Sequence, residues 1–254
     1  MNEPSTALST SALTKRYGST VAVDSLDLQI DRGVVYGFLG PNGAGKTTTM
    51  RVLTGLVEPT SGEATVAGVP SADRRRLVDR IGLLPEEPPL YDELTGREQL
   101  QFAADLRAVP WDAVADRALD LCDALDLKAD LDRRIEGYSK GMRQKVAFVQ
   151  AVQHEPNVVF LDEPTSGLDP RAARTLREEV LDLTADDTTV FLSTHILPVV
   201  EEIADAVGVL HDGRLVAEGP PDELVSGAES EDGDADLEDA FLALTSDPEA
   251  AWQR

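Results

Sequence analysis

The pattern of apolar and polar positions divides the early part of the chain into short strands around a glycine-rich loop. Four segments show the alternating or continuously apolar pattern of β-strands. They are Ala12–Tyr17, Ser25–Ile30, Val34–Leu39 and Glu63–Ala67. Residues 40–45 form the glycine-rich loop, and the pattern of Lys46–Leu56 predicts a helix. Residues 1–9 show neither period, and we expect a loose tail there.

The middle of the chain changes to a helical period. From Arg74 to about Ile135, apolar residues recur three or four positions apart, as they do on one face of a helix. These residues are Leu100, Ala103, Ala104, Leu106, Leu119, Cys122, Leu125 and Leu127. Gly141–His154 predicts a further helix. We therefore expect an inserted helical subdomain over about residues 86–155.

The second half of the chain alternates strands with helices. The predicted strands are Val158–Leu161, Thr189–Leu192, Val207–Leu210 and Leu215–Ala217. Helical patterns cover Ala172–Leu183 and Leu197–Ala206, and we expect a short helix at Leu237–Leu244 after an acidic linker over residues 226–236. Val158–Leu161 is wholly apolar, as in a strand buried on both faces of a parallel sheet. The alternation predicts an α/β fold.

The charge of the chain is unusual, because 47 acidic residues face 23 basic ones and give a net charge of -24. A disordered acidic protein does not fit the periodic segments, and an acidic tail would cover only the end of the chain. We favour the surface of a protein from a halophile, where salt screens the repulsion. Without a basic stripe, and with few aromatic residues, nucleic acid is not an expected partner.

The single cysteine fits a reducing interior, and the hydropathy predicts a chain without a spanning helix. Cys122 is the single cysteine, so the chain cannot form an internal disulfide, and we expect it to be a buried apolar side chain. We expect no signal peptide within Met1–Leu13, and no apolar run approaches the roughly 20 residues of a spanning helix. Any membrane role is therefore expected to come through a partner.

Residues 40–47 match the phosphate-binding pattern G-x-x-x-x-G-K-[ST]. The motif follows an apolar strand and opens a helix, which is the context that the pattern requires. Glycines let backbone N–H groups surround a phosphate, and the helix N-terminus adds positive potential. Lys46 is predicted to reach the β- and γ-phosphates, and Thr47 to supply a hydroxyl ligand to Mg²⁺.

Two carboxylates follow the wholly apolar strand Val158–Leu161. Ligands of open α/β sheets bind at the carboxyl ends of the strands. Asp162 is therefore predicted to hold Mg²⁺ through water, and Glu163 to act as the general base that polarises the attacking water.

Tyr138-Ser139-Lys140-Gly141-Met142-Arg143-Gln144 lies at the start of a predicted helix. It resembles the L-S-G-G-Q signature of the ABC (ATP-binding cassette) ATPases. Ser139 and the N–H of Gly141 would form a second anion site at this helix N-terminus. The resemblance implies that this site contacts the γ-phosphate of ATP bound to a second subunit. Lys140 and Met142 depart from the family pattern, whereas Ser139 and Gly141 keep it.

Further segments resemble the family in chain order. Residues 166–169 look like its D-loop, which communicates across the dimer. His195 matches the switch histidine at the γ-phosphate, and Tyr17 matches the aromatic residue that stacks on adenine. Glu86 stands where the family has the Q-loop glutamine, a Mg²⁺ and water contact. Its carboxylate can still ligate Mg²⁺, but it adds negative charge beside ATP.

The resemblance therefore implies a complete set of site residues for ATP and Mg²⁺. The nucleotide-binding residues are Tyr17, Pro41, Asn42, Gly43, Ala44, Gly45, Lys46, Thr47, Thr48, Ser139 and Gly141. The metal ligands are Thr47, Asp162 and Glu86, and the catalytic residues are Lys46, Glu163 and His195. The implied fold is an α/β P-loop NTPase core, a mixed sheet flanked by helices, with an antiparallel β-subdomain and an inserted α-helical subdomain. The ATPase domain is expected over residues 10–225, followed by an acidic linker and a short helix over residues 226–254.

Several details are similar to the subfamily of sodium, drug and multi-substrate exporter ATPases. They lie in Ile81–Leu100, Tyr138–Met142 and Leu237–Leu242. This similarity implies a motor subunit at the cytoplasmic face of the cell membrane, with a second ATPase subunit and a permease on a separate chain. Two alternatives remain. One is a soluble ABC ATPase that acts on nucleic acid or ribosomes, and the other is a non-hydrolysing regulatory binder, which would be expected to lack Glu163 or His195.

Overall fold

The computed structural model describes residues 6–226 and 236–246. The strands are β1 Thr6–Tyr17, β2 Thr20–Asp31, β3 Val35–Leu39, β4 Ser61–Val66, β5 Val69–Pro70, β6 Ile81–Leu84, β7 Val158–Asp162, β8 Thr189–Ser193, β9 Ala206–His211 and β10 Arg214–Gly219. The helices are α1 Lys46–Leu53, α2 Arg74–Leu77, α3 Gly96–Leu106, α4 Trp111–Ala124, α5 Lys140–Val152, α6 Pro170–Ala185, α7 Leu197–Ile203, α8 Pro221–Ser226 and α9 Leu237–Ser246. Strands and helices alternate, which confirms the expected α/β fold.

A six-stranded mixed sheet forms the centre of the fold, in the order β10-β9-β3-β8-β7-β6. All of its neighbouring strands pair in parallel except β10, which is antiparallel to β9. Every residue of β3, β7 and β8 is buried, as expected of parallel strands covered on both faces. Because these three strands run in the same direction, their last residues, Leu39, Asp162 and Ser193, open onto one edge of the sheet.

One face of the central sheet packs against a second, antiparallel sheet and α1. This second sheet has the order β2-β1-β4-β5. Its buried side chains, such as Leu8 and Leu26, share a core with Met50 of α1 and Phe160 of the central sheet. At the middle of this core the ring of Phe191 lies 5.0–5.6 Å from three other aromatic rings. These contacts fix α1, and with it the glycine-rich loop, against β3.

The other face of the central sheet is covered by helices. The three helices α3, α4 and α5 lie between β6 and β7, and α5 packs Val146 and Val149 into the same core as Val159 and Leu161 of β7. Thr95 begins α3 with a capping box, in which its hydroxyl accepts from the Glu98 N–H and the Glu98 carboxylate accepts from the Thr95 N–H. Helix α9 packs with α7 and β9 in a smaller third core.

The structure corrects two expectations of secondary structure. Ile81–Leu84 lies within the stretch predicted to be helical, yet it is strand β6, paired in parallel with β7. A run of four apolar residues is too short for its period to distinguish a strand from a helix. The expected loose tail is wrong for residues 6–9, because β1 begins at Thr6 and Leu8 is buried between two neighbouring strands.

Other expectations at the chain ends have mixed outcomes. Residues 1–5, 227–235 and 247–254 lie outside the described part of the chain. The expected linker over residues 226–236 therefore falls mostly outside it, although Ser226 is the last residue of α8. The helix predicted at Leu237–Leu244 is confirmed by α9.

The burial of Cys122 and the length of the apolar helices bear on two further expectations. Cys122 is a fully buried free thiol on α4, and burial raises its pKa to about 12. Among the described residues, no helix is both long and apolar enough to span a bilayer.

Replacing Gly82 with alanine is expected to destabilise the fold, because β6 approaches α5 without room for a side chain. A Cβ at Gly82 would overlap the main-chain carbonyl oxygen of Ala151 and lie 3.3 Å from Cγ of Pro156. We expect Gly82→Ala to lower the free energy of unfolding by about 1–3 kcal/mol in urea denaturation. In the control Gly219→Ala the new Cβ would have its nearest neighbour at 3.8 Å, and we expect a change within about 0.5 kcal/mol. Equal stabilities of the two variants would contradict this packing.

Candidate active site

The glycine-rich loop between β3 and α1 adopts a backbone that favours glycine. Gly43 and Gly45 have φ values of 85° and 110°, in the left-handed region. A Cβ at Gly45 would also overlap the carbonyl oxygen of Ala22, on the neighbouring antiparallel sheet. Gly45 is the N-cap of α1, no side chain caps this helix, and its first turn contains no acid. The N–H groups of that turn therefore present a positive end that suits phosphate oxygens.

The predicted loop residues lie around this helix N-terminus. Pro41, Asn42 and Gly43 are exposed, Ala44 is buried, and Thr48 is partly buried on α1. Lys46 is 9% exposed, and its ammonium group donates to the carbonyl oxygens of Gly40 at 2.5 Å and Pro41 at 3.3 Å. Burial lowers the pKa of Lys46, and the nearby carboxylates oppose that shift. A polyphosphate would supply the negative charge that this buried ammonium group requires.

The three predicted metal ligands line one cavity of about 300 Å³. Thr47 donates from Oγ1 to Oδ2 of Asp162 at 3.3 Å, which joins the start of α1 to the end of β7. Asp162 is 6% exposed, and burial raises its pKa, an effect to which Glu86 and Glu163 add. Glu86 is exposed, and it follows β6 on the far side of the cavity.

This donor set fits Mg²⁺. A hydroxyl and carboxylates are the hard oxygen ligands that Mg²⁺ prefers, and a cation would offset the cost of burying Asp162. Within residues 6–226 and 236–246, no cluster of three or more His, Cys, Asp or Glu side chains could hold a metal by itself. A Mg²⁺ ion here would take hydroxyl and carboxylate oxygens from the protein and complete its shell with phosphate oxygens or water.

Glu163 lies directly after β7 in a left-handed conformation with a φ of 49°. Its N–H donates to the carbonyl oxygen of Ser193 at 2.8 Å, and its own carbonyl accepts from the Gln144 amide at 3.3 Å. The Glu163 carboxylate accepts from the His195 N–H at 3.0 Å and contacts His195 Nδ1 at 2.7 Å. A third donor, the hydroxyl of Thr194, lies 3.0 Å from Oε2. The structure thus brings Glu163 and His195 into direct contact.

The predicted second anion site lies at the N-terminus of α5. Ser139 is the N-cap, and its Oγ accepts from the Met142 N–H at 3.2 Å. Gly141 packs against the loop after β7, where an added Cβ would lie 3.0 Å from the carbonyl oxygen of Gly167. Ser139 is exposed, and neither Ser139 nor Gly141 lines the cavity that contains Thr47 and Asp162. Within one chain the two anion sites therefore do not share that cavity.

Tyr17 ends β1 at the hairpin to β2, and 48% of its surface is exposed. The Lys15 ammonium lies over its ring, 5.0 Å from the centroid. The same hairpin continues to Ala22, whose carbonyl oxygen lies against Gly45 of the loop. An exposed ring next to the phosphate loop is compatible with stacking on a base.

Thr194 and Gln144 are the polar neighbours of Glu163 that the sequence analysis did not select. Both are buried, at 1% exposure each, and both donate to Glu163. The sequence carried a signal for each of them. Gln144 closes the segment that resembles the ABC signature, and Thr194 directly precedes His195.

Comparisons with known proteins agree with this geometry. Residues 23–166 match the profile of the ABC transporter family. The chain is 38% identical to the bacitracin transport ATP-binding protein BcrA of Bacillus licheniformis, over 87% of this chain and 72% of BcrA. It is 40% identical to the daunorubicin/doxorubicin resistance ATP-binding protein DrrA of Streptomyces peucetius, over 88% of this chain and 68% of DrrA.

A solved structure of an ATP-binding subunit of an ABC transporter is also similar. It superposes with a TM-score of 0.86 at 33% identity, over 94% of this chain and 99% of the other. The central sheet with its phosphate loop, the antiparallel sheet and the inserted helices therefore recur in a protein of that description. Because the family profile, the two relatives and this solved structure all match, the chain belongs to the ABC transporter family. It is an ATP-binding protein of that family, with the P-loop NTPase fold.

Proposed function

We propose that this chain hydrolyses ATP and thereby drives a membrane exporter whose permease is a separate chain. The observation that carries the proposal is the cluster of Lys46, Asp162, Glu163 and His195 at the carboxyl edge of the central sheet. The groups predicted to bind phosphate, to bind metal and to accept a proton lie close together there, and Asp162 lines a cavity with Thr47 and Glu86. That combination is what phosphoryl transfer to water requires.

ATP is bound by the loop and the start of α1 in this proposal. Backbone N–H groups and the Lys46 ammonium hold the β- and γ-phosphates, and Tyr17 stacks on the adenine ring. Thr47, Asp162 and Glu86 hold Mg²⁺, which when bound neutralises charge that develops on the phosphate oxygens. Without such a cation, the carboxylates that line the cavity would repel ATP.

Glu163 acts as the general base, and His195 faces the γ-phosphate. An ionised carboxylate only accepts hydrogen bonds, so the contact between Glu163 and His195 Nδ1 requires a proton on Nδ1. His195 therefore has Nε2 left for the phosphate or the water. The side chain of His195 is 68% exposed, so it remains accessible to a nucleotide.

A second copy or a related subunit completes each site. Ser139 and Gly141 do not line the cavity around Thr47 within one chain, and their helix N-terminus is exposed. In the proposed dimer, that N-terminus contacts the γ-phosphate of ATP bound to the other subunit. ATP then closes the dimer, because the closed state gains contacts that the open state lacks. Hydrolysis removes those contacts and resets the permease.

The exporter role is supported by what the relatives are. BcrA and DrrA are ATP-binding proteins of bacitracin transport and of daunorubicin/doxorubicin resistance, and the similar solved structure is a subunit of a transporter. The geometry favours hydrolysis over a non-hydrolysing regulatory binder, because both Glu163 and His195 are present and in contact. The surface of a halophile's protein stays a prediction from the charge of the sequence.

Replacing Glu163 by glutamine tests the proposed base. Glu163→Gln keeps the size of the side chain but removes its ability to take a proton, so we expect phosphate release to fall by about 10²- to 10⁴-fold. ATP binding, measured by equilibrium titration, is expected to remain. The control Glu179→Gln changes a half-buried carboxyl on α6 in another groove and should leave turnover unchanged. Undiminished hydrolysis by Glu163→Gln would rule out this base.

Glu86→Gln tests the effect of charge beside the nucleotide. The carboxylate at this position adds to the negative field of Asp162, so its removal should tighten the binding of ATP measured without Mg²⁺ by about 3- to 10-fold at low salt. The gain should shrink in molar salt, where screening is strong. The control Glu93→Gln removes an exposed acid that does not line the cavity and should leave the affinity unchanged. Weaker binding by Glu86→Gln would contradict the repulsion.

A further inference from the structure

The Glu163 carboxylate has a second hydrogen-bond partner besides His195, which is Thr194. Thr194 follows β8 directly, and its Oγ1 lies 3.0 Å from Oε2 of Glu163. The side chain of Thr194 has almost no access to solvent, at 1% exposure. Its hydroxyl is therefore a fixed neighbour of the carboxylate.

The hydroxyl of Thr194 accepts in one hydrogen bond and donates in the other. The N–H of Ile196 donates to Thr194 Oγ1 at 3.1 Å, which uses one acceptor site of the oxygen. The hydroxyl has a single proton, and an ionised carboxylate can only accept. Thr194 therefore donates its proton to Oε2 of Glu163.

The two carboxylate oxygens of Glu163 differ in the acceptor capacity that remains. Oε1 receives two donors from His195, the N–H at 3.0 Å and Nδ1 at 2.7 Å. Within residues 6–226 and 236–246, Oε2 receives only the hydroxyl of Thr194. Because each carboxylate oxygen has about two acceptor sites, Oε1 is saturated and Oε2 keeps one free.

The residues at the end of β8 also fix the main chain of Glu163. Its N–H donates to the carbonyl oxygen of Ser193 at 2.8 Å, where the chain turns with a φ of 49°. Ser193 thus anchors the main chain of Glu163, and the next residue anchors its side chain. The end of β8 and the two residues directly after it therefore hold both the main chain and the carboxylate of Glu163.

We propose that Thr194 is a positioning residue for hydrolysis, which orients Glu163 so that Oε2 accepts the proton of the attacking water. This inference rests on the proposed function of Glu163 as general base. In the step, an O–H bond of water breaks and its proton passes to Oε2. The water oxygen forms a bond to the γ-phosphorus, the bond to the β–γ bridging oxygen breaks, and ADP leaves with that electron pair.

The test compares two substitutions that differ in the hydroxyl. Thr194→Val keeps the shape of the side chain and removes the hydroxyl, so we expect kcat to fall by about 10- to 100-fold. The KM for ATP should change by less than about twofold, because Thr194 does not touch the nucleotide in this account. Thr194→Ser keeps the hydroxyl and should restore kcat to within about threefold of the wild-type value. Thermal denaturation of both variants checks that the fold is retained.

Thr188→Val is the matched control, at the other end of β8. Thr188 is also buried and precedes β8 at its opposite end, where its hydroxyl donates to the carbonyl oxygen of Pro156 at 3.1 Å. This substitution also removes one buried hydroxyl, but it does not touch Glu163. We expect a comparable loss of stability with an unchanged kcat.

The outcomes separate this inference from the proposed function. If Glu163→Gln abolishes hydrolysis while Thr194→Val turns over at the wild-type rate, the role of Thr194 is overturned and the base remains. If Thr194→Ser is as slow as Thr194→Val, the hydroxyl is not responsible and the inference also fails. If Thr194→Val does not fold, Thr194→Ser and Thr194→Ala provide the same comparison, with the alanine variant expected to be at least about 10-fold slower. Undiminished hydrolysis by Glu163→Gln would overturn both proposals.

Discussion

The parallel pairing of β3, β8 and β7 is the constraint on which the rest of the site depends. Parallel strands end on the same edge, so one sheet delivers the phosphate loop after Leu39, the acids Asp162 and Glu163, and the segment that contains His195. Each of these strands is buried on both faces and paired on both sides, so a change of register would disrupt main-chain hydrogen bonds and close side-chain packing. The three loops carry different chemical groups, and the sheet fixes the positions of these loops relative to one another.

The site concentrates negative charge in a protein that is already strongly acidic. Asp162, Glu163 and Glu86 lie near a single buried lysine, and the substrate would bring a triphosphate to the same place. Without a cation these charges would repel one another at short range, so Mg²⁺ is expected to strengthen nucleotide binding. The net charge of -24 acts over a longer range, so salt should weaken its effect more than that of the buried groups.

The site residues predicted from the sequence lie in short local patterns, whereas some elements of the fold and some contacts of the site were missed. The phosphate loop and the two acids after a wholly apolar strand form short patterns with a direct physical reason, and the structure has Thr47 and Asp162 in contact. Strand β6 was missed, because Ile81–Leu84 is only four residues long and lies beside helices. The contacts of Thr194 and Gln144 with Glu163 were missed because they join residues that are 31 and 19 positions apart. Such contacts depend on strand order and helix packing, which no local pattern contains.

The most direct test of the account is a quantitative pull-down of the tagged chain from detergent-solubilised membranes of its native host, in high salt, with and without ATP. The account predicts that one polytopic membrane protein is recovered in near-equal amount with the tagged chain. Lys46→Ala, which is expected to weaken ATP binding, should remove any difference between the two ATP conditions. Recovery of ribosomes or DNA, or of no membrane protein, would contradict the transporter role even if the purified chain hydrolyses ATP.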